Sequence, residues 1–198
     1  MRRGSFSLLI LLASGGGLSL AHAPTETTVH HPSREHPFAG TSLIRFAKVD
    51  GGIYKGSKPR TNEDFNYLQS LHVKYILELK FLPFLDGAEK KKAKKYGMGF
   101  FTVHMNASFY PPSEKHVNQA LRILRDPRYQ PIYLHCDIGR DRTSLVAGLY
   151  DVYFKGMSRE DAWQEMKTFG FKESWTLRGL KVYFDKHVNR RPPEFASH

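Results

Sequence analysis

The chain has 198 residues, and 30 lysines and arginines against 19 aspartates and glutamates give it a net charge of +11 at neutral pH. This length suffices for one domain with a full core, and the single cysteine excludes an internal disulfide. A positive charge of this size attracts anions and acidic surfaces. No helix-turn-helix, zinc-finger or RNP-type pattern accompanies it, which argues against a nucleic-acid partner.

Residues 1–23 have the pattern of a secretory signal peptide. Arg2 and Arg3 give a charged start, an apolar run follows from Phe6 to Leu12 and extends loosely to Leu20, and Ala21-His22-Ala23 is a small-residue cleavage site. The run is short and glycine-rich for a membrane span, so an uncleaved anchor is the lesser alternative. We expect an exported protein, periplasmic or secreted, with a net charge of +9 after cleavage and no stable membrane insertion.

Residues 24–45 are rich in proline, threonine, histidine and serine, and they predict an extended leader without a core of its own. The folded domain is expected over residues 46–190, and a flexible tail over 191–198. The leader's histidines have no acid or cysteine at metal-ligand spacing, which favours a solvated segment over a metal site. These histidines are His30, His31 and His36.

Short apolar strands alternate with helices from residue 53 onward. The predicted strands cover residues 53–57, 73–79, 100–105 and 131–135. A lysine-dense helix is expected over 88–96, and other helices are expected to begin after Thr61, Ser113, Ser158 and Ser174 and near Arg142. This alternation predicts a single α/β domain, with a central, mostly parallel sheet flanked by helices. Ligands bind such sheets at the carboxyl ends of the strands.

The only cysteine lies at such a strand end. Pro131 to His135 predicts a buried strand, Cys136 follows it, Gly139 marks a tight turn, and a helix begins near Arg142. A helix N-terminus binds anions through its unpaired N–H groups and its dipole, and a cysteine held there loses its proton readily. Arg142 adds a planar fork suited to phosphate. The pattern therefore predicts a thiolate nucleophile inside an anion-binding loop.

The sequence His135-Cys136, five residues, Arg142-Thr143 resembles the signature of the cysteine-dependent protein tyrosine and dual-specificity phosphatase superfamily. The resemblance covers roughly residues 46–188. Ile53 to Pro59 resembles the strand-and-turn entry of bacterial members. Arsenate reductases share the cysteine–arginine spacing, but near their N-termini, and thiol redox chemistry of that kind needs a second thiol. The resemblance implies a cysteinyl-phosphate intermediate, with no metal or cofactor.

The predicted roles follow from chemistry. Cys136 attacks phosphorus in line with the leaving oxygen, and Arg142 holds two phosphoryl oxygens and stabilises the transition state. Thr143, or with less support Ser144, donates a hydrogen bond to the thiolate, and His135 orients the loop. The predicted substrate-binding residues are Asp137, Ile138, Gly139, Arg140 and Arg142.

The sequence departs from the family pattern at the usual position of the general acid. No aspartate or glutamate lies between Glu89 and Glu114, where the family usually has one. The favoured candidate is Asp141. The loop ending G-x-D-R-T resembles that of phosphatases that act on phosphoinositides or inositol phosphates, and the resemblance implies a catalytic role for the aspartate at this position. Glu114, and catalysis without a protein-derived acid, are the alternatives. Asp137 adjoins the nucleophile but is expected to point outward.

The substrate is expected to be a phosphorylated small molecule or protein, with a leaning toward inositol polyphosphates or phosphoinositides beside phosphotyrosine. Surplus cations near the pocket would offset the acid in the loop; Lys58, Arg60, Lys80 and Arg140 are candidates. The lysines at 90–95 are better explained as a solvated helix face than as a basic rim. A phosphatase-like module that binds phosphate without turnover is the alternative function. The sequence gives no prediction of the oligomeric state.

Overall fold

The computed structural model describes residues 40–82 and 87–195. In these residues five strands form one sheet, and six α-helices cover it. The strands are β1 (Ala47–Asp50), β2 (Ile53–Gly56), β3 (Tyr75–Lys80), β4 (Gly99–His104) and β5 (Ile132–His135). The helices are α1 (Asn62–Ser70), α2 (Gly87–Lys95), α3 (Glu114–Arg125), α4 (Asp141–Lys155), α5 (Arg159–Thr168) and α6 (Arg178–His187).

The sheet is mostly parallel, as the sequence predicts. The strand order is β1-β2-β5-β3-β4, and only β1, at one edge, runs antiparallel to its neighbour. Because β5 lies in the middle of the sheet, the loop that follows it opens at the centre of the carboxyl edge. This is the position where parallel sheets bind ligands.

The two sides of β5 belong to two separate apolar layers. Ile132 and Leu134 pack into the larger layer, which includes residues of α3 to α6. Tyr133 points to the opposite side, where residues of α1 and α2 form the smaller layer. His135 follows Tyr133 by two residues and so lies on that same side, under the two helices. This alternation decides which helix reaches the residue before the cysteine.

The domain is longer at both ends than the sequence predicts. Leu43 is fully buried, and the N–H of Ile44 donates a hydrogen bond of 3.0 Å to Ser57 Oγ, so the end of the predicted leader is part of the fold. In the predicted tail, Phe195 is buried and packs edge-on against Phe154, with 5.4 Å between ring centroids. The predicted signal peptide, residues 24–39 and residues 196–198 lie outside the described residues.

Two of the four predicted serine and threonine caps are present. Thr61 forms a complete capping box with Asp64, and Ser158 accepts a hydrogen bond from the N–H of Asp161. Ser113 precedes α3 but makes no capping hydrogen bond. The prediction for Ser174 is wrong, because a 3₁₀ turn follows it and the last α-helix begins only at Arg178.

Asp64 joins three segments of the domain, and its replacement by asparagine should lower stability. Its carboxylate accepts hydrogen bonds of 2.6–2.9 Å from the N–H and hydroxyl of Ser42 and from the N–H groups of Arg60 and Thr61. Burial raises the pKa of Asp64, but the four hydrogen bonds together lower it by a larger amount, so the pKa lies below its ordinary value. We expect Asp64→Asn to reduce the free energy of unfolding by about 3 kcal/mol, measured by urea titration.

The stability that Asp64 contributes should decrease as the pH falls. A carboxyl group whose pKa is depressed by folding stabilises the fold above its unfolded pKa and loses that contribution as the pH falls through its folded pKa. The difference between wild type and Asp64→Asn should therefore be full at pH 7 and shrink below about pH 4. Asp161→Asn is the matched control. Its capping interaction is exposed, so it should cost no more than about 1 kcal/mol. Equal losses in the two variants would contradict this role for Asp64.

Candidate active site

The loop between β5 and α4 is held in place by backbone contacts with the segment after β2. Gly139 has φ of +67°, and a Cβ atom placed on it would lie 2.3 Å from the carbonyl carbon and oxygen of Gly56. The N–H of Lys58 donates a 3.1 Å hydrogen bond to the carbonyl of Asp137. The loop therefore fits closely against its neighbour, and only glycine has both the conformation and the size for position 139.

A pocket of about 190 Å³ opens at this loop. Its floor includes Cys136, which is 3% exposed, and its sides include Asp141 and Arg142. Asp137 and Ile138 complete the contribution of the loop. The structure thus brings together five of the residues that the sequence selects for catalysis or substrate binding.

The other predicted residues lie around the pocket rather than on its lining. Gly139 shapes the loop, and Arg140 turns its guanidinium to the neighbouring Asp141, with 2.9 Å from Nε to Oδ1. Thr143 and Ser144 are buried in the first turn of α4, and neither hydroxyl has a hydrogen-bond partner among the described residues. The predicted hydrogen bond from Thr143 to the thiol is therefore absent.

Of the candidate acids, only Asp141 occupies the expected position. Glu114 is exposed and lines a separate cavity of about 280 Å³ with Tyr183, Lys186 and His187, so its assignment as an acid for Cys136 is wrong. The cause is the path of the chain, because Pro111 and Pro112 border that same second cavity and α3 begins there.

Asp137 behaves as predicted. Its side chain is largely exposed, and its carboxylate pairs with Arg60 at 2.8 Å. An ion pair at the surface of this kind holds the carboxylate away from the thiol. Asp141 instead pairs with Arg140 of the same loop, so its carboxylate stays at the pocket.

The predicted basic neighbours are engaged with carboxylates. Lys58 lies 2.8 Å from Glu89 and 3.5 Å from Glu78, and Lys80 lies 3.3 Å from Glu78. In the lysine-dense helix α2, Lys92 donates a hydrogen bond to the carbonyl of Arg60. The other lysines of α2 are exposed, which agrees with a solvated helix face: Lys90, Lys91, Lys94 and Lys95.

The wall opposite the loop was not foreseen from the sequence. It consists of Ala107, after β4, and Leu177, before α6. Just beyond it, the exposed rings of Phe109 and Trp175 meet edge-on, with 4.7 Å between centroids, and bridge the two segments. No local pattern marks these residues, because the wall exists only when two distant segments meet.

Arg45 is another residue that the sequence did not reveal. Its guanidinium donates a 3.1 Å hydrogen bond to the carbonyl of Ile138, in the centre of the loop. It occupies the left-handed region, with φ of 54°, which is unusual for a residue other than glycine. Arg45 belongs to the predicted leader, whose composition gives no sign of a contact with the loop.

A buried thiol, an arginine and a carboxylate around an anion-sized pocket, at the start of a helix, constitute the active-site arrangement of a cysteine-dependent phosphatase. In the parts of the chain that the structure describes, no group of three or more histidine, cysteine, aspartate or glutamate side chains could hold a metal ion. None of the helices within residues 40–82 and 87–195 is both long and apolar enough to span a bilayer.

Comparison with known proteins agrees with this class. The sequence profile of the tyrosine phosphatase family matches residues 42–178. The chain belongs to the tyrosine phosphatase family. The matched range begins at Ser42 rather than at residue 46, which agrees with the packing of Leu43 and Ile44 onto the domain.

The similar proteins include several inositol diphosphatases. The chain is 30% identical to the inositol diphosphatase DSP4 of Arabidopsis thaliana over 109 residues, which cover 53% of this chain and 54% of DSP4. It is 30% identical to the inositol diphosphatase SIW14 of Saccharomyces cerevisiae over 153 residues, or 73% of this chain and 53% of SIW14. The chain thus spans about half the length of these relatives.

Solved structures share the fold. The core catalytic domain of SIW14, a PP-IP phosphatase, in complex with citrate superposes with a TM-score of 0.59 at 27% identity, covering 74% of this chain and 89% of that one. The structure of TpbA from Pseudomonas aeruginosa superposes with a TM-score of 0.60 at 24% identity, covering 74% and 87%.

Proposed function

We propose that this chain is a cysteine-dependent phosphatase that removes phosphate from inositol polyphosphates, with a preference for diphosphate groups. One observation carries the proposal. The pocket joins Cys136 and Arg142 to a carboxylate from the loop itself, Asp141, while the opposite wall, within residues 40–82 and 87–195, is formed by Ala107 and Leu177. The site has the groups for attack and for charge stabilisation, and in this described part of the chain the wall supplies no acid to protonate a leaving group.

The reaction has two steps. The thiolate of Cys136 attacks the terminal phosphorus, so that an S–P bond forms while the bond to the bridging oxygen breaks and the shortened inositol phosphate leaves. Arg142 and the loop N–H groups hold the phosphoryl oxygens. Water then attacks this phosphorus, its P–O bond forms as the S–P bond breaks, and inorganic phosphate and the thiolate are released. With a poor leaving group such as tyrosine, Asp141 donates a proton to the leaving oxygen in the first step, and in the second step it accepts a proton from the water.

The preference for diphosphates follows from the leaving group. A phosphate monoester titrates with a second pKa near 6, whereas a tyrosine hydroxyl titrates near 10 and a serine hydroxyl higher still. The first leaves as a stable anion and needs no acid, and the others benefit from one. A wall without a carboxylate therefore favours a phosphoric anhydride. The similarity to DSP4 and SIW14, both inositol diphosphatases, supports the same substrate class.

Phosphate release from a substrate panel tests the proposal. The panel contains an inositol diphosphate, inositol hexakisphosphate, a soluble phosphoinositide and a phosphotyrosine peptide. We expect kcat/KM to be highest for the inositol diphosphate. A clear preference for the phosphopeptide would contradict the proposed substrate class, and no turnover of any substrate would contradict the proposed enzyme in favour of a phosphate-binding module.

Asp141→Asn should separate substrates by their leaving groups. The variant keeps the shape of the side chain but cannot carry the proton, so we expect kcat to fall about 100-fold for phosphotyrosine and far less for p-nitrophenyl phosphate. Steady-state kinetics on both substrates measure the ratio. Asp137→Asn is the matched control, because its carboxylate pairs with Arg60 and should leave the ratio unchanged. A constant ratio in Asp141→Asn would show that another group moves the proton.

We also propose that the chain is exported and cleaved after Ala23. Support comes from the charged start, apolar run and Ala21-His22-Ala23 site within residues 1–23. Mass spectrometry of the protein from a periplasmic extract should give a mature N-terminus at Pro24. An intact Met1 in protein retained with the cytosol would overturn this proposal.

A further inference from the structure

Two backbone carbonyls of the loop between β5 and α4 are bound by groups from outside the loop. The N–H of Lys58 donates a 3.1 Å hydrogen bond to the carbonyl of Asp137, and Nη1 of Arg45 donates one of 3.1 Å to the carbonyl of Ile138. The reaction described above uses neither contact. We propose that Arg45 is a positioning residue, which turns the N–H of Gly139 toward the phosphate through its hydrogen bond to Ile138.

The peptide bond between Ile138 and Gly139 transmits this orientation. The carbonyl of Ile138 and the N–H of Gly139 belong to one peptide plane, and the bond is trans. In a trans peptide the C=O and the N–H point in opposite directions. Because Arg45 fixes the carbonyl on the outer side of the loop, the N–H of Gly139 lies on the opposite side, where a phosphoryl oxygen would accept it.

Arg45 keeps a strained backbone conformation at this contact. Its φ of 54° lies in the left-handed region, which costs a residue with a side chain about 1 kcal/mol. Such strain persists where the surrounding structure fixes it, and it is often found at functional sites. Here the preceding residue, Ile44, exchanges two hydrogen bonds of 3.0 Å with Ser57. The following residue, Phe46, stacks on Tyr133 with 5.9 Å between ring centroids.

The end of α5 packs on the guanidinium of Arg45. Gly170 follows the C-cap residue of this helix, and a Cβ atom placed on it would lie 3.3 Å from Nε of Arg45. Its φ of +87° also favours glycine. A helix C-terminus carries a partial negative charge, which favours a cation beside it. The side chain of Arg45 therefore connects the loop to a helix that packs against α4.

Arg45 acts through the loop rather than on the substrate. In the part of the chain that the structure describes, the pocket is lined by residues of the loop and by Ala107 and Leu177, and Arg45 is not among them. Its guanidinium could affect the phosphate in two ways, through its charge at a distance and through the direction of the peptide plane. Salt screens the first effect but not the second. Salt dependence therefore distinguishes the two effects.

Binding of inorganic phosphate tests the role of Arg45 without using the phosphatase reaction. Arg45→Met keeps the apolar stem but has no N–H, so we expect the Kd for phosphate to rise about 10-fold, measured by isothermal titration calorimetry. The ratio of the variant Kd to the wild-type Kd should be the same at about 0.05 M and about 0.5 M salt. Although the inference rests on the proposed function, a protein inactive on every substrate would still give this measurement.

Kinetics and a control variant complete the test. On the preferred substrate, Arg45→Met should lower kcat/KM about 30-fold, with most of the loss in kcat, because the phosphoryl oxygens carry more charge in the transition state. Gln130→Ala is the matched control. Its side-chain N–H donates a comparable 2.8 Å hydrogen bond to the carbonyl of Leu124, at the opposite end of β5 from the loop. This variant should lower stability and leave kcat/KM and the Kd for phosphate unchanged.

Two results would overturn the proposal. The first is a folded Arg45→Met variant with the wild-type Kd for phosphate. The second is a loss of affinity that disappears at high salt, which would show that Arg45 acts as a distant charge. If Arg45→Met does not fold, Arg45→Gly takes its place, because glycine adopts a φ of 54° without strain. An unchanged Kd in Arg45→Gly would equally contradict the positioning role.

Discussion

Replacing Cys136 with serine should reduce phosphate release to the background rate, a loss of at least about 10⁴-fold in kcat. A serine hydroxyl at position 136, directly after β5, is not ionised near neutral pH, so the S–P bond of the first step has no counterpart. The pocket itself should survive, because Cys136 is buried among apolar residues and serine is slightly smaller.

Retained binding separates loss of the nucleophile from loss of the fold. Inorganic phosphate should raise the melting temperature of Cys136→Ser by the same amount as that of the wild type, since a ligand that binds the folded state stabilises it by mass action. Turnover by the serine variant above a few per cent of wild type would contradict the assignment of Cys136 as the nucleophile.

Gly139→Ala should be the most damaging change that leaves every catalytic side chain in place. Its Cβ would lie 2.3 Å from Gly56 carbonyl atoms and 2.6 Å from the N atom of Ser57, so the loop or the strand end must move. A left-handed backbone adds about 1 kcal/mol for a residue with a side chain. We expect kcat/KM to fall at least about 100-fold, because a displacement of about 1 Å misaligns the N–H groups around the phosphate.

Gly156→Ala is the matched control for this variant. Gly156 ends α4 with a similar φ of +72°, but nothing lies within 4 Å of the position that its Cβ would take. The change should cost about 1 kcal/mol in unfolding free energy and leave kcat/KM unchanged. If both variants lost activity equally, backbone strain rather than the contact with Gly56 would be the cause.

The strand, loop and helix around Cys136 could be predicted because their signals are local. An apolar run after Pro131, a glycine in the turn and an apolar helical repeat after Arg142 lie within one short stretch. Each signal reflects the conformational preference of its own residues. The structure confirms the strand, from Ile132 to His135, and a helix that begins at Asp141, one residue before the predicted start.

The residues that the sequence did not reveal all depend on contacts between distant segments. Arg45 reaches Ile138 because its segment packs beside the end of β2, and Leu177 completes the pocket because the chain returns there before α6. Glu114 lies near the expected position in sequence, yet the chain places it at another cavity. Spacing along the chain does not determine the direction in which a loop leaves a strand.

The predicted ends of the domain, at residues 46 and 190, differ from the structure for the same reason. Leu43 begins a short apolar stretch directly after a polar, proline-rich segment, and Phe195 is a single large apolar residue in a polar tail, so neither lies in a long periodic pattern that indicates burial. Each is nevertheless buried: Leu43 belongs to the smaller apolar layer, and Phe195 packs with Phe154. A composition that predicts a solvated end therefore does not exclude a single residue that anchors it.

Trapping the covalent intermediate tests directly whether Cys136 is the nucleophile. An inositol diphosphate labelled with ³²P in its terminal phosphate is mixed with the wild-type protein, quenched in acid during turnover and digested. We expect label on the peptide that contains Cys136 and none in Cys136→Ser. Steady release of phosphate from the wild type without label on that peptide would contradict it.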